Sequence, residues 1–141
     1  MAVILFSRSG SGEYVPAADE IALRIQLDTD EDIGLLVYDY SADGREFSGG
    51  ISNADGSMLK RGSSLTVVLS RDELGAASDD TRLSVQFRVI TEYVAPNYEN
   101  IYPDGLTRYM EPIAWDARFG EAYRLTITGG SADGYTAALL D

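Results

Sequence analysis

The sequence predicts an all-β domain, a two-sheet antiparallel β-sandwich of immunoglobulin-like or jelly-roll-like architecture. It is expected to have about seven or eight strands and one short helical corner. Three observations lead there. Apolar residues recur with a period of two, Asp-Gly turns separate the runs, and almost no stretch carries a helical period.

Taken in chain order, residues 2–6 (Ala2, Val3, Ile4, Leu5, Phe6) make a short apolar strand. Residues 7–12, rich in Ser and Gly, read as a hinge, so 1–12 form an N-terminal strand with its hinge and 13–141 a single sandwich domain. In residues 20–28, Ile21, Leu23, Ile25 and Leu27 share one face, against Ala22, Arg24 and Gln26. Residues 33–40 are apolar on both faces except at Asp39, as a central strand would be; Leu35 and Val37 are assigned to the core. Asp43-Gly44 supplies positive φ for a tight hairpin, and Gly49-Gly50 marks a bulge or a close backbone approach.

Residues 65–69 form a further strand, with Val67 in the core. Ser70-Arg71-Asp72-Glu73 is a capping box, opening a turn or two of helix before Gly75. Such a corner suits a crossing between sheets. Residues 81–91 alternate most clearly, Leu83, Val85, Phe87 and Val89 facing inward and Ser84, Gln86 and Arg88 outward. Residues 94–112 are irregular, with a turn of helix expected over 104–111. Tyr123, Leu125 and Ile127 alternate in 121–128, and Asp133-Gly134 turns the chain into a last strand, 135–140.

Composition excludes several chemistries. The formal charge is −12, from 23 acidic and 11 basic residues, and the basic ones are scattered. A field of that sign repels phosphate, so nucleic acid is rejected as a partner. With no Cys there is no thiolate nucleophile, Zn–thiolate site or disulfide, and with no His there is no histidine-dependent triad or metal site. No apolar run approaches the roughly 18 residues that span a bilayer, so membrane insertion is not expected. Residues 2–6 are too short for a signal-peptide core, which assigns the chain to the cytoplasm by default or makes it an excised domain of an exported protein.

Two clusters are candidate sites. Asp28, Asp30 and Asp32 alternate in an acidic stretch, the arrangement by which loop carboxylates converge on calcium. Gly34 falls one position late for an EF-hand, so a solvated acidic turn is the plainer reading, and no other cofactor is implied. Tyr93, Tyr98, Asn100, Tyr102, Tyr109 and Trp115 form the second cluster, in and beside the long irregular segment. Aromatic faces with interleaved amides stack on sugars or pack against partners, and the same rings also serve to cover an end of a sandwich.

Glu92, Glu99, Asp104, Glu111 and Asp116 surround this segment, but no catalytic motif joins them. The sequence therefore points away from an enzyme and towards a module for a protein partner or its own copies. A calcium-dependent or carbohydrate-binding module is the alternative.

Overall fold

The computed structural model describes residues 3–5 (backbone only), 14–53, 55–94 and 102–140. Alternating apolar residues set the strands, and the strands stack as two sheets. The first sheet runs β1 (Val3–Leu5), β5 (Ser64–Ser70), β2 (Glu20–Thr29), β9 (Ala122–Gly130), β10 (Gly134–Leu140). The second runs β4 (Arg45–Ile51), β3 (Leu35–Ala42), β6 (Asp80–Ile90), and then β7 (Thr107–Tyr109) and β8 (Ile113–Arg118), which share one edge of β6. The sandwich is as expected, and α1 (Arg71–Leu74) is the helical corner between β5 and β6. Its cap is the one read from sequence: Glu73 N–H donates to Ser70 Oγ at 3.2 Å, and Gly75 ends it in the left-handed region at φ 66°.

Some details differ. Pairing is antiparallel throughout the described residues except between β2 and β9, which run parallel. A parallel neighbour needs a distant return of the chain, which alternation alone does not reveal. The helical turn expected over 104–111 is a 3-10 turn, Asp104–Leu106, followed at once by β7. Asp43-Gly44 makes the expected two-residue hairpin, with positive φ at both positions (51° and 86°) and Ala42 paired to Arg45. At Asp133-Gly134 only Gly134 has positive φ, so that turn carries an extra residue.

The inward faces of β2, β5, β6 and β9 are those predicted, and Ile21, Leu23, Ile25, Leu27, Val67, Leu83, Val85, Phe87, Val89, Leu125 and Ile127 are all buried in one cluster. In β3 the phase is opposite to that assumed. Leu36, Tyr38, Tyr40 and Ala42 face the core, whereas Leu35 and Val37 belong with Ile90 to a separate cluster on the solvent side of the second sheet. Tyr38 fits because its pairing partner is Gly49; a Cβ there would lie 2.4 Å from the phenol. Gly49 is thus a close approach of backbone to ring.

Burial pushes the Tyr38 phenol well up and that of Tyr40 up to about 12, nearby Glu73 adding to both. The native state therefore holds these protons after the unfolded chain, near its ordinary 10.0, has released them. For Tyr40 this stabilisation is complete below pH 10.0 and is lost as pH climbs through its folded value of about 12. Urea titrations between these limits should show falling stability, with a shallower fall in Tyr40→Phe. An unchanged slope in that variant would contradict the burial.

Candidate functional site

β3 and β6 run between two ends of the sandwich. One end carries α1 and the Asp43-Gly44 hairpin. The other gathers residues 30–34, 52–53, 55–63, 91–94, 102–106 and the 131–133 turn. At this loop end the outer face of the second sheet is built row by row. Val37 pairs with Arg88, and Arg88 with Tyr109. The row above it places Leu35, Ile90 and Thr107 side by side. In the row below, Ser48, Asp39 and Gln86 are neighbours.

The apolar upper rows would lie bare on a sheet face, and the chain returns to cover them. Val94, Tyr102 and Leu106 pack on Leu35, Val37 and Ile90. Backbone bonds pin this cover: Thr91 N–H donates to Leu106 O (2.8 Å) and Met110 N–H to Phe87 O (3.1 Å). Gly34 allows the entry, because a Cβ there would stand 2.0 Å from the Glu92 carbonyl. Arg108 holds the far side, donating to Ser131 O at 3.3 Å.

Beside the cover, Tyr109 is 63% exposed and Tyr93 37%, in a chain with few exposed large apolar side chains among its described residues. The Arg88 guanidinium lies 5.8 Å from the centroid of the Tyr109 ring. Its Nε is 3.3 Å from Asp39 Oδ2, and Ser48 Oγ donates to Asp39 Oδ1 at 2.8 Å. Gln86 Nε2 donates to Met110 O at 2.9 Å, tying the strand to the segment that follows β7. An exposed ring, a half-buried cation and its carboxylate thus share one surface next to an apolar cluster.

The sequence candidates divide accordingly. Tyr93, Tyr102 and Tyr109 come to the loop end, with Tyr102 half-buried as an anchor of the cover. Tyr98 and Asn100 lie outside the described residues. Trp115 is elsewhere: opposite Leu83 on β8, it packs against the main core and lies 5.5 Å from the Tyr123 ring. Arg88 and Ser48 are not among the sequence candidates, and Asp39 enters only as a carboxylate beyond the acidic stretch and the polar exception in residues 33–40. The isolated Asp39 in an apolar strand was the available signal; the pairing that joins it to Arg88 is non-local.

The three aspartates have separate neighbours. Asp28 accepts from Gln26 (3.3 Å) and Thr126 (3.2 Å), and Asp32 accepts from the Arg61 N–H (2.8 Å) and pairs with Lys60 at 3.9 Å. The Asp30 side chain lies against Gly130. No group of three or more carboxylates among the described residues is placed to hold one ion. Between them, Glu31 accepts from the Ser131 N–H at 2.6 Å, which holds its carboxyl below the ordinary value. Burial, then Glu31, raises its neighbour Tyr135 to about 12. This carboxylate ties the two loops together.

No family model and no curated protein matches the chain. Solved structures do. The membrane-binding domain of pneumolysin is 12% identical over 86% of this chain and 96% of its own, at a TM-score of 0.42. Listeriolysin O is 8% identical over 86% of this chain and 23% of its own, at 0.41. A disulfide-locked intermedilysin bound to human CD59 is 13% identical over 86% of this chain and 24% of its own, at 0.41. This likeness is too distant to assign a function.

Two sequence expectations are nevertheless corrected. The chain was expected to be a non-catalytic β-sandwich interaction module for a protein partner or its own copies, with membrane insertion excluded. The similar structures include a membrane-binding domain, that of pneumolysin, and neither expectation is retained. β1, the strand that suggested self-assembly, pairs with β5 of its own chain as Val3↔Val68 to Leu5↔Thr66, and the expected hinge over 7–12 lies outside the described residues.

Proposed function

We propose that the chain docks on the surface of a lipid bilayer through the tyrosine-bearing outer face of its second sheet. The supporting observation is the pair of exposed rings, Tyr109 and Tyr93, beside the covered apolar cluster on the solvent side of that sheet. Tyrosine suits the headgroup layer because its ring enters the apolar side while its hydroxyl stays wet. The net charge of −12 directs such docking to neutral lipid, since an anionic surface repels it. No helix among the described residues is long and apolar enough to cross a membrane, so contact falls to the sheet and its cover.

Co-sedimentation with phosphatidylcholine vesicles tests this. The chain should bind, anionic lipid should weaken binding, and Tyr109→Ala should lower affinity about tenfold or more, as expected for one ring's burial. Thr136→Ala, on the exposed face of β10, should change nothing. Absence of binding, or equal affinity in Tyr109→Ala, would remove the proposal.

A further inference from the structure

Resting on that reading, we infer that Arg88 and Tyr109 form a subsite for the phosphocholine headgroup of a neutral lipid, with Asp39 as a positioning residue. Phosphocholine is a zwitterion, a phosphate joined through a short arm to a quaternary ammonium. The surface presents one group suited to each part. The Arg88 side chain is 20% exposed, and its terminal amino groups make no hydrogen bond to the described residues. A guanidinium carries five N–H donors in a fork that matches phosphate oxygens. The Tyr109 ring belongs to a residue 63% exposed and carries the Arg88 guanidinium over one face at 5.8 Å, and aromatic faces attract quaternary ammonium ions through the ring quadrupole.

Asp39 makes the two compatible. On its own, Arg88 would repel an ammonium held on the neighbouring ring. Asp39 Oδ2, 3.3 Å from Arg88 Nε without a hydrogen bond between them, offsets that charge, and Asp39 is itself steadied by Ser48. The local pair is neutral overall, which suits a zwitterion better than an anion or a cation. Flat access comes from Gly50, which lies beside Val37 in the same row as Arg88 and Tyr109 and adds no side chain.

Two vesicle preparations separate this inference from the docking itself: phosphatidylcholine and the neutral galactolipid digalactosyldiacylglycerol. Phosphatidylcholine should bind about tenfold more tightly. Free phosphocholine should compete, and phosphoethanolamine at equal concentration should compete far less. Tyr109→Phe should keep the preference, and Tyr109→Ala and Arg88→Gln should lose it at unchanged melting temperature. Equal affinity for both vesicles, or no competition by phosphocholine, overturns the headgroup site and leaves bilayer docking standing. Failure of both vesicles to bind overturns both.

Discussion

Phe87→Ala is expected to remove about 3–5 kcal/mol of stability. Phe87 is fully buried on β6, paired across the ladder with Tyr38. It sits in the cluster that joins the inward faces of both sheets, so truncation removes ring contacts and leaves a cavity that neither sheet can close without shifting its ladder. β6 holds β3 on one side and β7 and β8 on the other, which spreads the loss to the docking face. Urea denaturation with an unchanged m-value measures it. A loss below about 1 kcal/mol would place the ring outside a packed core.

The second large effect is expected at Gly129. Its φ is +107°, a region that side chains disfavour, and an added Cβ would meet the Gly134 carbonyl oxygen at 2.1 Å. Gly129→Ala therefore combines backbone strain with a collision against backbone that cannot swing away, together about 2–5 kcal/mol. The strain falls where the β9–β10 turn supports the loop end. Asp30 N–H donates to Gly129 O at 2.8 Å, and Ser131 both holds Glu31 and receives Arg108. Loss of stability should thus come with weaker vesicle binding. Gly105→Ala, where an added Cβ meets nothing within 4 Å, is the matched control and should be near neutral. Equal stability in the two variants would contradict the packing described at Gly129.

Residues whose pattern is local were legible in the sequence. Leu83 to Val89 alternate without interruption, and the Ser70–Glu73 cap is a four-residue device, so strand, face and helix start could all be read. β3 was not readable in phase, because apolar residues on both sides leave period two without direction. Tyr38 goes inward only because Gly49 faces it across the ladder. Part of the candidate site was visible as clustered tyrosines. Trp115 was misgrouped with them for a specific reason. Positions 109 and 115 would share a face in an unbroken strand, but the chain leaves the sheet at 110–112, burying Met110, and returns with its phase changed. Tyr109 therefore stands beside Arg88 on the outside and Trp115 opposite Leu83 on the inside. The Arg88–Asp39 pair depends on strand neighbours far apart in sequence, and nothing in either strand alone announces it.

Bilayer docking through the tyrosine face is tested most directly by locating the contact. The chain has no cysteine, so a single introduced thiol carries a polarity-sensitive dye at one chosen place. Gly105→Cys puts the dye beside Leu106 in the cover of the second sheet, and Thr136→Cys puts it on the exposed face of β10. With phosphatidylcholine vesicles, the dye at 105 should shift to the blue and the dye at 136 should stay unchanged. A shift at 136 with none at 105, or at neither position, would contradict docking through this face.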